Sequence, residues 1–145
     1  MKILFGVFDW GLGHATRDIP IIKELLRKGH SVDIISTGRA LKLLKSKFNK
    51  KCKYFDVPSL FVPYPKNGFF ILSFVKNAPR MLSDMKRATE ISKGIIKEGK
   101  YDKVISDCRY DVYDTPNNSY LINHQVRFVA PIFAEWIAER WLASR

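Results

Sequence analysis

Cysteine is scarce: Cys52 and Cys108 are the only two in 145 residues. They match no metal-ligand spacing and are too few for a disulfide framework, so reduced thiols in a cytoplasmic protein are expected. Long apolar runs are missing too. The first run, Ile3 to Phe8, is ended by Asp9 and is too short for the core of a secretion signal. The apolar-rich stretch from Leu60 to Val75 is broken by Pro63, Pro65, Lys66 and Asn67. It falls short of the ~18 uninterrupted apolar residues that a spanning helix needs. Neither an internal repeat nor a low-complexity tract occurs. Acidic residues are in deficit, 14 against 25 Lys and Arg, for a formal charge of +11. That excess calls for an anionic partner: nucleic acid, a phosphorylated substrate or acidic lipid headgroups.

What is present is a core. With 46% hydrophobic residues, a chain of this length forms one ordinary domain. Ile3 to Phe8 reads as a strand buried on both faces. A helix follows with Ile19, Ile22, Leu25 and Leu26 on one side, closed by Gly29. Pro20 suits its first turn, which puts His14 in that turn or just before it. Ser31 to Ser36 is a second strand, and Thr37 is the expected N-cap of a basic helix through Phe48. Lys53 to Val57 makes a short third strand, and Pro58 to Phe70 a functional loop. A long helical region comes next, broken near Pro79, with Leu82, Met85, Ala88, Ile91 and Ile95 inward and Gly99 at its end. Tyr101 to Ser106 and Ser119 to Asn123 are strands four and five, separated by a polar loop. An amphipathic helix from Pro131 to Leu142 closes the chain. The alternation predicts an α/β fold, a Rossmann-like doubly wound parallel sheet of about five strands.

In such a sheet ligands bind beyond the carboxyl ends of the strands. Four segments fall there: Asp9 to Arg17, Ser36 to Arg39, Asp107 to Asp111, and His124 to Arg127. The first holds the turn Gly11-Leu12-Gly13-His14. Two glycines let the backbone approach a ligand, and the helix that follows offers free N–H groups to a phosphate. A dinucleotide fingerprint needs a third glycine where Thr16 stands and an acid ending the second strand, where Ser36-Thr37-Gly38-Arg39 stands instead. Asp33 lies too early for the ribose. His14 is the distinctive residue. A histidine there serves as general base on a hydroxyl, or it caps the turn or binds phosphate without chemistry.

The segment Phe5-Gly-Val-Phe-Asp-Trp-Gly-Leu-Gly-His-Ala-Thr-Arg17 resembles the first motif of GT-B glycosyltransferases. Similarity continues through Ile19-Pro-Ile-Ile-Lys-Glu-Leu-Leu-Arg-Lys-Gly-His30, Ile105-Ser-Asp-Cys-Arg-Tyr-Asp111 and Ile122-Asn-His-Gln125. It is strongest to prokaryotic family 1 and family 28-like enzymes. These include the N-acetylglucosaminyltransferases of the lipid-linked peptidoglycan precursor and relatives of the UDP-glucuronosyltransferases. The former have a turn richer in glycine than this one.

The resemblance implies one half of a GT-B fold, with residues 1–145 as the N-terminal, acceptor-binding domain. The nucleotide-sugar donor is then held by a C-terminal domain outside this chain, in cis or in a partner subunit, and no further cofactor or metal is called for. His14 would be the general base and Asp107 the carboxylate that orients it, with Asp111 second; the alternative for Asp107 is a loop-capping role. Gly11 and Gly13 would contact an acceptor phosphate, Arg17 and Arg109 would pair with anions, and His124 and Gln125 would line the acceptor side. A non-catalytic binding module on the same fold and a nucleotide-binding oxidoreductase domain remain as other readings.

Six lysines, Lys42, Lys45, Lys47, Lys50, Lys51 and Lys53, accompany Leu41, Leu44 and Phe48. Phe61, Tyr64, Phe69, Phe70 and Phe74 follow among prolines. A basic face beside aromatics suits a peripheral anionic membrane surface, at the inner face for a cytoplasmic enzyme with a lipid-linked acceptor. A solvated lysine face with buried rings fits the same residues. No nucleic-acid motif accompanies the charge, so no nucleic-acid partner is expected.

Overall fold

The computed structural model describes residues 1–59 and 70–123, the side chains of 70–75 excepted. The apolar runs and helical stripes become β1 (Lys2–Val7), α1 (Gly13–Arg27), β2 (Ser31–Ser36), α2 (Gly38–Phe48), β3 (Lys53–Asp56), α3 (Phe70–Gly99), β4 (Lys103–Asp107) and β5 (Ser119–Ile122). The five strands form one sheet in the order β3-β2-β1-β4-β5, and every pairing is parallel. Strand order reverses beside β1, so the connections leaving β1 and β4 part there and open a crevice.

Alternation along β1 divides the core. Ile3, Phe5 and Val7 join Ala15 and Ile22 of α1, and Ala40, Leu44 and Phe48 of α2, in one apolar cluster. Leu4 joins Val104 of β4 with Ala88 and Ile96 of α3 in a second. Gly6 faces Val112 of the β4–β5 connection so closely that a Cβ would lie 3.1 Å from that side chain. Asp33 accepts a 2.7 Å hydrogen bond from the Tyr101 hydroxyl, which gives this mid-strand acid a structural partner.

Several local expectations change. Pro20 lies inside α1 and Pro79 inside α3, which runs unbroken. Each removes one backbone donor at a cost of about 3 kcal/mol, and packing of the two long helices on the sheet outweighs it. Thr37 makes no capping bond; its hydroxyl donates to Asp56 instead. The inner face of α3 is as expected at Ala88 and, in part, at Ile95, but not at Leu82 or Ile91. Met81, Ala88, Ser92 and Ile96 are buried, while Leu82 is 61% and Ile91 39% exposed. Small Ala88 and Ser92 let the helix approach the sheet, and the polar Ser92 is the part of that fit that an apolar stripe does not register. Gly29 closes α1 as expected, with φ +79° and a bond from the His30 N–H to the Leu25 carbonyl. The expected helix from Pro131 to Leu142 lies outside the described residues.

Arg109 also differs from expectation. It is fully buried, and its Nε and Nη2 donate to both oxygens of Asp111 while Nη1 donates to the Val57 carbonyl. Ser92 hydrogen-bonds Asp111 from α3. The pair therefore ties the β4 exit to the end of β3 and to α3, and neither residue is disposed toward a ligand. A buried charge left without its partner is costly. Asp111→Ala is expected to lower unfolding free energy by about 3–5 kcal/mol, whereas Arg109→Met with Asp111→Leu recovers most of it. Urea denaturation of both variants measures the difference.

Candidate functional site

The crevice beside β1 brings together residues 93 positions apart. Val7 pairs with Asp107 across the β1–β4 register, and Gly11, at φ +74°, turns the chain from β1 into α1. His14 thereby enters the first turn of α1 beside the last residue of β4. Its Nδ1 lies 2.6 Å from Oδ2 of Asp107. The Asp107 carboxylate is fully buried, and Arg17 Nη2 donates to its other oxygen at 2.5 Å. One turn of helix thus sets two donors on the two oxygens of one carboxylate.

This arrangement selects a tautomer. An ionised carboxylate only accepts, so Nδ1 carries the hydrogen and the ring lone pair sits on Nε2. The 3.2 Å approach of Arg17 Nη2 to Nδ1 is then a contact of two donors that share one acceptor. Burial works to raise the Asp107 pKa, but Arg17 and His14 outweigh it and hold the group below the ordinary carboxylate value. The Asp107 bond in turn raises the Arg17 pKa. Phe8 meets the His14 ring edge to face at 5.4 Å.

The His14, Asp107 and Cys108 ligand atoms all lie within 4.8 Å of one another, the compass of a metal site. Arg17 already places a positive charge on Asp107, so the trio is better disposed to hold a proton than a cation. Cys108 takes φ +52°, and its N–H donates to the Ile122 carbonyl.

A cavity of about 440 Å³ opens next to the pair, within the range of small-molecule sites. It is lined by Phe8, Asp9 and Trp10 after β1, by Thr37 after β2, by Pro58 and Ser59 after β3, and by Arg80, Asp84, Arg87, Ala88 and Ile91 of α3. Phe8 belongs to both features, lining the cavity and touching His14. Trp10 packs on Phe8 at 6.1 Å and stays half exposed. Ser59 donates to Asp9, which links the segment after β3 to the one after β1.

Among the residues expected at this site, His14, Asp107 and Arg17 are brought together, with Gly11 and Gly13 forming the turn above them. Space is open around both glycines. Arg17 serves Asp107 rather than standing apart as an anion contact. Arg109 and Asp111 are turned into the core. His124 and Gln125 lie outside the described residues. Sequence reasoning overlooked Phe8 and Trp10, whose signal was two aromatics at the end of a buried strand. It also overlooked Asp18, one residue beyond Arg17.

A model of glycosyl transferase family 1 matches residues 1–121. The chain belongs to that family. No curated protein matches it. Among solved structures, the glycosyltransferase VinC in complex with DTDP is 18% identical over 74% of this chain, with a TM-score of 0.50. Acinetobacter baumannii MurG is 18% identical over 94% of it, also at 0.50. At that identity these likenesses carry the GT-B-type fold alone. The chain spans 29% and 38% of the length of those two structures.

The linkage of Asp107 has a definite sign. A carboxylate whose folded pKa lies below its unfolded value adds stability above the unfolded value and loses it as pH falls through the folded one. Asp107→Asn is expected to cost about 1–3 kcal/mol at neutral pH through lost charge-assisted bonds. It should also soften the loss of stability below about pH 4. Urea midpoints between pH 2 and 7 measure both effects.

Proposed function

We propose that this sheet edge is the acceptor half of a glycosyltransferase and that His14 is its general base. The observation that carries the reading is the His14–Asp107 contact at the crevice beside β1, next to a cavity with an aromatic wall. An acceptor hydroxyl seated against Phe8 and Trp10 gives its proton to His14 Nε2 as its oxygen attacks the anomeric carbon of the donor. The bond from that carbon to the nucleotide phosphate breaks, and the nucleotide leaves with the electron pair. Asp107 stabilises the imidazolium without taking the proton. The nucleotide sugar is bound by a separate donor-binding domain, in cis or in a partner chain.

The basic face formed by α2 and the segment that leads from it into β3 supports a role at an anionic membrane surface. Lys42, Lys45, Lys47, Lys50, Lys51 and Lys53 are all exposed, while Leu41, Leu44 and Phe48 are buried. Among the described residues no helix is long and apolar enough to cross a membrane. A lipid-linked acceptor would draw on such a surface. Phe61, Tyr64, Phe69, Phe70 and Phe74, the ring residues expected to join it, are not among the described side chains.

His14→Ala in the enzyme joined to its donor-binding domain is expected to lower kcat by about 10²–10⁴-fold with acceptor affinity retained. A transfer assay with acceptor-binding titration checks it. Unchanged turnover would favour a non-catalytic binding module on the same fold.

A further inference from the structure

Asp18, on α1, is fully buried, and among the described residues neither of its carboxylate oxygens meets a hydrogen-bond donor. An ionised carboxylate sealed in a core without a donor is costly enough that such groups take a proton or find a cation. Asp18 sits against Asp107, and among the described residues its carboxyl group is within hydrogen-bond reach of that residue's. Two ionised carboxylates cannot make that bond, because both only accept. One proton between them makes it. Asp107 is already engaged by His14 and Arg17, so the proton resides on Asp18.

We propose that Asp18 is the protonated member of a carboxyl–carboxylate pair with Asp107 and acts as a positioning residue that sets the upper pH limit of the His14 base. The proposal rests on the reading of His14 given above only for its catalytic consequence; the pair itself stands on the burial of both carboxylates and on Asp18 oxygens that meet no donor among the described residues. The Asp18 O–H gives Asp107 a third donor beside His14 and Arg17. With Asp18 neutral, the group holds one negative charge on Asp107 and one positive charge on Arg17. When Asp18 ionises, a second negative charge appears behind Asp107. Asp107 then loses the Asp18 O–H as a donor and is repelled by the new charge, so it no longer holds the His14 ring in place.

The charged surroundings agree. Burial raises the Asp18 pKa first, the Asp107 charge and hydrogen bond add to that, and Arg17 on the same helix opposes it, for a value pushed up to about 8. His14 acts through Asp107. Beside β4, which presents Asp107, the elements packed most closely on α1 are β1, β2 and α2, and they meet it in the apolar cluster of Phe5, Ile34, Ala40 and Leu44. For an acid raised in this way, stability is fully present below the unfolded pKa near 4 and is lost as pH rises through about 8. That window is separate from the acid window of Asp107.

Carbon-13 carboxyl NMR of the chain tests the pair without any transfer reaction. The Asp18 signal is expected to titrate near pH 8 rather than near 4, and Asp107→Asn to move its midpoint down. Titration near 4, or a midpoint indifferent to Asp107→Asn, would overturn the pair. The isosteric Asp18→Asn is expected to gain stability over the unaltered chain progressively between about pH 4 and 8; a pH-independent offset would mark mere packing and contradict the proposal. In the enzyme joined to its donor-binding domain, Asp18→Asn, whose side chain cannot ionise, should remove the fall in kcat above about pH 8; a fall that persists in the variant would contradict the positioning role. If His14→Ala leaves transfer intact while the NMR result holds, the base reading fails and the pair survives.

Discussion

The Asp107 carboxylate has to be satisfied where no water reaches it, and much of the site's arrangement follows from that requirement. A parallel sheet that reverses its strand order beside β1 leaves a crevice, and β4 ends there on an acid with no exposed surface. The donors must come from the facing element, the first turn and a half of α1. His14 and Arg17, three residues apart, project from one face of that helix and take one oxygen each. The turn through Gly11 exists to bring the helix in at the angle this demands.

Catalytic character grows from the same requirement. An imidazole that donates Nδ1–H to a buried anion has its basic nitrogen on the far side of the ring. The Phe8 edge contact keeps that ring from swinging. Arg17 neutralises the carboxylate enough to bury it, yet the charge still favours an imidazolium once the ring takes up a proton. Asp18 belongs to the same account because it lies on the core side of the helix that carries both donors. The cavity beside Phe8 and Trp10 then supplies what a proton acceptor alone lacks, a place to hold the group it acts on.

Much of this was legible in the chain. Continuous apolar runs marked β1 and β2, the glycine pair marked the turn, and the absence of a third glycine at Thr16 and of an acid after Ser36 argued against a dinucleotide. His14 and Asp107 were singled out through resemblance, with the strand-end rule agreeing. What stayed hidden depended on partners far apart in sequence. Arg17 and Arg109 look alike as basic residues beside a site, but one meets Asp107 and the other is buried against Asp111. Asp18 stands four residues before Ile22, on the stripe that buries it. A charged residue there was a signal, passed over because the apolar positions alone were counted. Prolines at positions 20 and 79 suggested boundaries that tertiary packing overrode.

A double-mutant cycle on transfer by the enzyme joined to its donor-binding domain tests the central claim most directly, because it asks whether His14 and Asp107 act as one unit. If Asp107 works through the ring, adding Asp107→Ala to His14→Ala costs almost nothing further in kcat, although Asp107→Ala alone is severe. Independent, multiplying losses from the two substitutions would contradict the account.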